Sequence, residues 1–291
     1  MRFSVVIPTK GRPDDLRETL ASVVRLDPPP HELIVVDGDE QRSAEAVATE
    51  AREGDGLAPA YLHTPPGLTL QRNRGIERAG GDVVVFLDDD VDVSPGLLAQ
   101  LERAYSDPGV VGATGHVVEG VPRRLGNKRS LARRLLFGGR DGTMTRFGYP
   151  RRLQDTDTER DVEFMQGCLM SVRRERAAAV GFDERLTGYA LAEDEDFSYR
   201  LSRTGRLRYL PDAIVHHKNT GMKSSAVRSF NRDVVVNRAY LFRKNFRRTP
   251  LARAQFAGLV LVLVAHRVLN REWAGVRGLV DGSVEAWRAG R

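Results

Sequence analysis

The sequence predicts an α/β fold, in which a doubly wound, mixed but mostly parallel sheet is flanked by helices and followed by a C-terminal helical extension. Over the first hundred residues, short apolar β-type runs alternate with helix-type segments, which is the rhythm of βαβ units. Val83–Leu87 is an uninterrupted apolar run, as a strand buried on both faces of a parallel sheet requires. These two observations predict the fold class.

Strands are expected where a short run rich in Val, Ile or Leu is bounded by polar residues, and helices where apolar residues recur three and four positions apart. The predicted strands are, in order, Phe3–Ile7, Glu32–Val36, Ala60–Leu62, Val83–Leu87, Val110–Val118, Phe164–Val172, Leu207–Leu210 and Ala213–His216. The predicted helices are Asp14–Val24, Ser43–Arg52, Thr69–Arg78, one beginning near Ser94, Ala192–Arg203, and the chain from Ser225 onward.

The composition is that of an ordinary globular protein. Hydrophobic residues make up 41% and charged residues 29% of the 291 residues, which is too polar for a protein with many membrane spans. The single cysteine, Cys168, excludes an intrachain disulfide and a multi-cysteine zinc site. Phe3–Ile7 is too short for the core of a signal peptide, so we expect a cytoplasmic protein.

Positive charge is concentrated in two stretches. Pro122–Arg140 holds seven Lys and Arg and no acid, and Arg228–Arg253 holds eight against one acid, Asp233. Such patches suit an anionic lipid surface, a phosphorylated substrate or nucleic acid, although a merely solvated face is the simpler alternative. With 7% aromatic residues and no recognisable module for reading bases, no nucleic acid is expected as a partner.

Polar residues follow several of the predicted strands directly, at Pro8–Arg12, Asp37–Asp39 and Asp88–Asp90. Ligands of open α/β sheets bind beyond the carboxyl ends of the strands, so these residues should gather in one cleft. Three adjacent carboxylates repel one another, and Mg²⁺ or Mn²⁺ would relieve that repulsion while also binding phosphate. The structural alternative is an acidic turn that caps the helix near Ser94.

A second acidic cluster, Glu193–Asp196, opens a predicted helix. Acids in a first turn are favoured by the helix dipole alone. The functional interpretation is a general base, because neighbouring acids raise the pKa of a carboxylate towards the range that helps to deprotonate a hydroxyl. His216 and His217 end a short strand, where one imidazole could complete a metal shell or contact phosphate.

Taken together, these segments resemble the inverting glycosyltransferases of family 2, which have the GT-A fold. The resemblance runs from about Phe3 to His217, and two positions depart from it: Lys10-Gly11 in the opening loop, and Gln71, where a small residue is common. The segments that carry it are Val6–Thr9, Val35–Gly38, Gln71–Gly75, Asp88–Asp90, Gly167–Cys168 with Arg173–Arg174, Glu193–Asp194 and Val215–His216.

This resemblance implies transfer of a sugar, with inversion, from a nucleotide-diphosphate donor to a hydroxyl of a glycan, lipid-linked glycan or polysaccharide, assisted by Mg²⁺ or Mn²⁺. It implies that Asp37 recognises the nucleobase, that Arg72 touches the base or diphosphate, and that Asp88 faces the ribose. Asp194 would be the base, whereas Asp196, two residues further along the helix, points to a different face. The implied nucleotide-sugar contacts are Pro8, Thr9, Arg12, Asp37, Arg72, Asn73, Asp88 and Asp89, the acceptor-side residues Gly167 and Glu193, and the metal ligands Asp90 and His216.

We expect three parts along the chain. Residues 1–120 would form the nucleotide-sugar-binding half and residues 121–222 the acceptor-side half of one GT-A domain. Residues 223–291 would be a helical, basic extension. Within it, Phe256–Ala265 is an apolar run of ten residues, about half the length that spans a bilayer. Flanking arginines predict that it lies on the inner face of an anionic membrane, and a buried helix is the alternative.

Other enzyme classes fit less well. A dinucleotide oxidoreductase needs Gly-x-Gly-x-x-Gly after the first strand, where Pro8–Arg12 stands instead, and Gly221–Ser224 does not match a P-loop. A metal-dependent nucleotidyltransferase remains an alternative, but it leaves Glu193-Asp194 without a role. A non-catalytic, nucleotide-sugar-binding scaffold subunit is the other alternative, and the presence of Asp90 and Asp194 argues against it.

Overall fold

The computed structural model describes residues 1–53, 57–119, 137–153, 156–187, 190–218 and 226–290. These residues form two compact units. The first unit contains residues 1–119 and 153–218, and the second contains residues 137–152 and 226–290, in each case as far as the chain is described. The basic stretch Pro122–Arg140 lies almost entirely outside the described residues.

The first unit is a sheet flanked by helices. Its strands are β1 (Phe3–Thr9), β2 (Glu32–Asp37), β3 (Ala60–His63), β4 (Val83–Leu87), β5 (Val91–Val93), β6 (Val110–Glu119), β7 (Arg160–Val162), β8 (Leu169–Arg173) and β9 (Arg206–His217). Its helices are α1 (Pro13–Val24), α2 (Glu45–Glu53), α3 (Leu68–Arg78), α4 (Leu97–Tyr105), α5 (Arg174–Val180) and α6 (Glu193–Ser202).

The sheet is mixed, in the order β3-β2-β1-β4-β8-β6-β9-β5, with β7 paired to β9. Strands β3, β2, β1 and β4 are parallel, β8 runs antiparallel to both β4 and β6, and β9 is parallel to β6. The predicted α/β class with a mostly parallel, doubly wound sheet is therefore confirmed. Because β1, β2 and β4 are parallel neighbours, the residues that follow them meet at one edge of the sheet.

Both faces of the sheet are covered by core. Val5 and Ile7 of β1 belong to the apolar cluster that includes α1, and Val6 belongs to the cluster on the opposite face, as alternation along a strand requires. Gly75 lets α3 approach β1 closely, because a Cβ there would come within 2.3 Å of Val6 Cγ1. This close contact sets the distance between α3 and β1.

Several elements differ from the sequence prediction. The two strands predicted at Leu207–Leu210 and Ala213–His216 are one strand, β9, with an irregularity beside Gly115 and His116 of β6. Strands β5 and β7 have three residues each and were not predicted, since periodicity cannot be recognised over so few positions. Helix α5 was also not predicted.

The second unit is built on three helices, α7 (Val227–Asn245), α8 (Pro250–Leu269) and α9 (Trp273–Arg288), within the part of the chain that is described. Its own core includes Phe147 and Phe242, so residues 137–152 pack with these C-terminal helices. Helix α8 begins with Pro250 after Thr249, whose side chain accepts a hydrogen bond from the Ala252 N–H at 3.2 Å.

Helix α8 is longer than the apolar run in its sequence suggested. It has 20 residues and is the one helix among the described residues that is long and apolar enough to cross a membrane, and only 11% of its apolar window is buried. The flanking residues extend the helix beyond Phe256–Ala265 at both ends.

Candidate active site

The acidic turn Asp88–Asp90 joins β4 to β5 at the carboxyl edge of the sheet. Thr19 of α1 holds this turn through its fully buried hydroxyl. The hydroxyl oxygen lies 2.9 Å from the carbonyl oxygen of Asp89 and 2.8 Å from that of Val91, and it accepts the Val91 N–H at 3.1 Å. Thr19 was not singled out from the sequence. A hydroxyl on the apolar face of an amphipathic helix was the signal for it.

Asp88, Asp90 and His217 form a group with the geometry of a metal site. One ligand atom from each residue lies within 4.8 Å of the other two. His217 Nε2 is 3.1 Å from Asp90 Oδ1, and this hydrogen bond raises the pKa of His217. Burial acts to raise the pKa of Asp90, but His217 and Arg12 outweigh it and the pKa falls below its usual value. Two carboxylates and an imidazole are a donor set that fits Mn²⁺ or Mg²⁺.

His216, the predicted metal ligand, is not part of this group. It pairs with Asp92 across β9 and β5, and both residues are exposed, whereas His217 pairs with the buried Val91. Adjacent residues of a strand point to opposite faces, so only His217 reaches Asp90. Among the described residues, the group that could hold a cation therefore contains His217 and not the predicted His216.

Asp89 is not one of the three residues of the group that could hold a cation. It is 6% exposed and accepts a hydrogen bond from the Thr9 hydroxyl at 2.7 Å. Arg12 Nη1 lies 3.3 Å from both Asp89 Oδ1 and Asp90 Oδ2, and the Arg12 side chain is 48% exposed. Burial raises the pKa of Asp89 to about 6. Arg12 thus brings a partly exposed positive charge to the edge of the acidic turn.

Asp37 and Gln71 form hydrogen bonds at the carboxyl ends of β1 and β2. Asp37 is fully buried, and its carboxylate accepts hydrogen bonds from the Asp39 N–H (2.8 Å), the Ala44 N–H (3.1 Å) and the Tyr61 hydroxyl (3.1 Å). Both oxygens therefore accept hydrogen bonds from within the protein, and recognition of the nucleobase by Asp37 stays a prediction. Gln71, the departure from the family pattern, donates to the carbonyl oxygens of Thr9 and Val36 at 2.8 Å and 2.7 Å.

Arg72 is a buried cation that contacts residues from distant parts of the sequence. Its side chain is 1% exposed, with Nη1 2.7 Å from Glu193 Oε1 and Nη2 3.2 Å from Asp88 Oδ1. Nη2 also donates to the Gly167 carbonyl at 3.0 Å, and the guanidinium lies 5.3 Å from the ring centroid of Phe182. Arg72 therefore contacts both Asp88 and Glu193. Its contact with the donor stays a prediction.

Asn73 also turns away from the acidic turn. Its amide donates to the Phe182 carbonyl at 3.0 Å and accepts the Phe182 N–H at 2.8 Å, and it donates to Glu184 at 2.8 Å. These contacts tie α3 to the segment that follows α5. Both ends of the amide are thus paired within the protein, and the contact of Asn73 with the nucleotide stays a prediction.

Asp194 stands in the first turn of α6 next to Gly167. Its Oδ2 accepts the Gly167 N–H at 3.0 Å and its Oδ1 accepts the Glu195 N–H at 2.8 Å. Burial raises the pKa of Asp194 to about 6. Asp196 is different: its side chain is fully buried and 2.7 Å from Arg200 Nη2, so it is committed to an ion pair.

Most of the predicted site residues of the first unit are joined by a chain of short contacts. Thr9 and Arg12 contact the acidic turn, Asp90 contacts His217, and Arg72 links Asp88 to Glu193 and Gly167, which contacts Asp194. The arrangement places a group able to hold a divalent cation at one end of this network and a carboxylate of raised pKa at the other. His216, Asn73 and the carboxylate of Asp37 lie outside it, and His217, Thr19 and Gln71 are added to it.

Comparison with known proteins agrees with this architecture. Residues 4–180 match the sequence profile of Glycosyl transferase family 2. The succinoglycan biosynthesis protein ExoM of Rhizobium meliloti is 25% identical over 222 residues, covering 74% of this chain and 66% of that protein. The GalNAc(5)-diNAcBac-PP-undecaprenol beta-1,3-glucosyltransferase of Campylobacter jejuni is 28% identical over 108 residues, which is 36% of this chain and 35% of that protein.

The fold is shared with a solved enzyme. The mannosyltransferase PcManGT of Pyrobaculum calidifontis, solved in complex with GDP-Man and Mn²⁺, superposes with a TM-score of 0.63 at 17% identity, over 98% of this chain and 87% of that one. The chain spans less than two thirds of the length of the curated relatives that it matches. Since the family profile matches well over half of its residues, the chain belongs to glycosyl transferase family 2.

Proposed function

We propose that this protein transfers a sugar from a nucleotide-diphosphate donor to a hydroxyl acceptor, with inversion at the anomeric carbon. One observation carries the proposal: the cation-holding group Asp88, Asp90 and His217 and the carboxylate Asp194 are connected through Arg72 and Gly167 by contacts of 3.0–3.2 Å. A transfer of this kind needs positive charge for the leaving diphosphate and a base for the attacking hydroxyl.

The cation proposed at Asp88, Asp90 and His217 is Mg²⁺ or Mn²⁺, and when bound it would neutralise charge on the departing diphosphate. Arg12, half exposed beside Asp89 and Asp90, adds a fixed positive charge on the same side. Asp88, Asp90 and His217 would hold the cation, and phosphate oxygens and water would supply its remaining ligands. PcManGT, whose fold is similar, was solved with GDP-Man and Mn²⁺, which supports this assignment.

Asp194 is the proposed general base. Its pKa, raised to about 6 by burial, leaves it ionised near neutral pH yet basic enough to accept a proton from the acceptor hydroxyl. The Gly167 N–H and the first turn of α6 hold its oxygens in place. Attack by the activated hydroxyl opposite the leaving diphosphate inverts the anomeric carbon, and no covalent enzyme intermediate is needed. Asp196 is a poorer candidate because Arg200 neutralises it.

We further propose that the acceptor is a glycan, a lipid-linked glycan or a polysaccharide, and that the protein works in the cytoplasm at the inner face of the membrane. The names of the relatives support this class of acceptor, since one acts in succinoglycan biosynthesis and the other is a glucosyltransferase for an undecaprenol-linked glycan. The single, buried cysteine agrees with a reducing compartment.

Calorimetric titration tests the donor side of the proposal. UDP, GDP and dTDP are each titrated, with and without Mn²⁺, into the wild type and into Asp90→Ala, His217→Ala and His216→Ala. We expect one diphosphate to bind in the presence of Mn²⁺, Asp90→Ala to abolish this binding, and His217→Ala to weaken it by about tenfold or more. His216→Ala is the matched control and should bind like the wild type.

Two results would overturn this assignment. If no diphosphate binds under any condition, the acidic turn is structural and a scaffold role is favoured. If His216→Ala weakens metal-dependent binding and His217→Ala does not, the ligand set is wrong. Transfer to a hydroxyl acceptor, rather than release of diphosphate from a nucleoside triphosphate, separates the proposed activity from that of a nucleotidyltransferase.

A further inference from the structure

Helix α8 exposes a continuous apolar face. Positions three and four apart along this helix are apolar and face the solvent, and Leu261 and Leu269 are 69% and 83% exposed. From Ala254 to Leu269 the face is about 22 Å long, at about 1.5 Å per residue. The residues that form it, together called the α8 face, are Leu251, Ala254, Ala257, Leu261, Val262, Ala265, Val268 and Leu269.

The opposite side of α8 is already used by the core of the second unit. Phe256 stacks on Phe242 of α7 with ring centroids 5.4 Å apart, and Leu259 is 2% exposed. Between Phe256 and Ala265 the helix is therefore apolar all round but covered on one side only. Helices of this composition are normally covered on every side, and an exposed apolar patch of this length is typical of an interaction surface.

Positive charge lies at both ends of the α8 face. Arg247, Arg248 and Arg253 are near its N-terminal end and Arg271 follows its C-terminal end. Among the described residues, no carboxylate forms an ion pair with any of these four arginines. The adjacent Trp273 is 59% exposed, and indole rings favour the boundary between a membrane and water. We infer that the α8 face docks on an anionic lipid bilayer.

The charges favour lipid over a second copy of the chain. In a symmetric dimer packed through the α8 face, an antiparallel pair of helices would place Arg253 of one chain near Arg271 of the other. A parallel pair would place each arginine near its own counterpart. In both arrangements arginines of the two chains would lie close together and repel one another. Anionic lipid headgroups, by contrast, can pair with the arginines at both ends of the α8 face.

The packing of α8 favours lying on the bilayer over crossing it. Helices α7 and α9 flank it within the same unit and are joined by ion pairs, Arg232 to Glu285 at 2.7 Å and Arg228 to Asp281 at 2.7 Å. If α8 crossed the bilayer with its neighbours in place, these charges would enter hydrocarbon, which is costly. A helix that lies in the headgroup region with its apolar face down avoids this.

Sedimentation with vesicles tests the inference on the full-length protein. Phosphatidylcholine vesicles are compared with vesicles that also contain phosphatidylglycerol, without donor or acceptor, so the result does not depend on the transfer reaction. The wild type should sediment only with the anionic vesicles, and added salt should weaken binding. Leu261→Glu combined with Leu269→Glu should reduce binding by about tenfold or more.

Three controls keep the test decisive. Val24→Glu places a single glutamate at an apolar residue of α1 that is 47% exposed, and it should bind like the wild type. Arg253→Gln should weaken binding to anionic vesicles while leaving the apolar face intact. Circular dichroism checks that each variant is folded.

Several outcomes would overturn the inference. The inference is wrong if the folded wild type does not bind anionic vesicles. It is also wrong if the wild type and the double glutamate variant bind them equally. A third contrary result is a wild type that is a dimer in light scattering and binds no vesicles, while the double glutamate variant is a monomer. That result would assign the α8 face to a second copy of the chain. Resistance of membrane-bound protein to extraction with alkaline carbonate would indicate a helix that crosses the bilayer.

Discussion

At the scale of single residues, Asp194 and Asp196 offer a matched pair on one helix. Asp194→Asn removes the proposed base with little change in shape, and the rate of sugar transfer should fall by about 10²–10⁴-fold. Asp196→Asn removes the partner of Arg200, so it should lower the melting temperature and leave kcat within a few fold of wild type. Steady-state transfer kinetics and thermal melts measure both. Equal loss of kcat in both variants would argue against Asp194 as the base.

The pH dependence of transfer follows from the pKa of Asp194. The base acts in its ionised form, and burial raises its pKa to about 6, above the usual value for aspartate. The ionised fraction, and with it kcat, should therefore decline as the pH is lowered through about 6, where an ordinary aspartate would remain ionised. A rate profile for Asp196→Asn should show the same midpoint. A wild-type profile that stays flat down to about pH 4 would contradict the assignment.

Arg72 should matter for stability as well as for the site. Arg72→Met leaves Glu193 buried without its partner, which typically costs about 3–5 kcal/mol. Burial and Asp194 raise the pKa of Glu193 to about 8 even beside Arg72, so the carboxylate is charged only at alkaline pH. Adding Glu193→Gln removes that uncompensated charge, so at alkaline pH the double variant should unfold at a higher denaturant concentration than Arg72→Met alone. Arg74→Met breaks an exposed pair with Glu77 and should cost no more than about 0.5 kcal/mol. A double variant no more stable than the single would exclude this charge coupling.

The residues of the site could be predicted only in part, and the reasons are physical. The acidic turn and Asp194 stand at element boundaries that the hydrophobic pattern reveals. The choice between His216 and His217 depends on the irregularity in β9, which changes the face that each later residue takes. Arg72 could not be recognised as buried, since its partner Glu193 is 121 residues away in the sequence.

At the scale of elements, the site depends on the close packing of helix α3 against strand β1. Gly75 allows this approach, and Gly75→Ala would force a Cβ to within 2.3 Å of Val6. The helix must then shift, so we expect a loss of about 1–3 kcal/mol in unfolding free energy. Gly96→Ala is the control, because a Cβ there has nothing within 4 Å. Similar melting temperatures for the two variants would show that α3 moves freely.

The longer helices and most strands were predictable from the sequence pattern, whereas the seven-residue helix α5 and the three-residue strands β5 and β7 were not. The strands of the parallel half were found because burial on both faces makes them continuous apolar runs. Strand β5, with the sequence Val-Asp-Val, exists because it pairs with the distant β9, so nothing local indicates it. The true length of α8 was missed for a related reason: its ends are set by the cap at Thr249 and by packing, not by the limits of its apolar run.

At the scale of the whole molecule, the two units have separate cores. The clusters on the two faces of the sheet contain residues of the first unit, and the clusters around Phe242 and Leu279 contain residues of the second. The proposed donor site lies wholly in the first unit. A ligand stabilises only the structure to which it binds, so the two units should respond differently to the donor diphosphate.

Scanning calorimetry can therefore separate the units. We expect two unfolding transitions, of which the one from the first unit moves upward with the nucleoside diphosphate that binds together with Mn²⁺. At a hundred times the Kd, the shift corresponds to about 2.7 kcal/mol. Asp90→Ala should keep both transitions and lose the shift, whereas His216→Ala should keep the shift. One cooperative transition that moves as a whole would show that the units unfold together, and the donor site would then report on the stability of the entire chain.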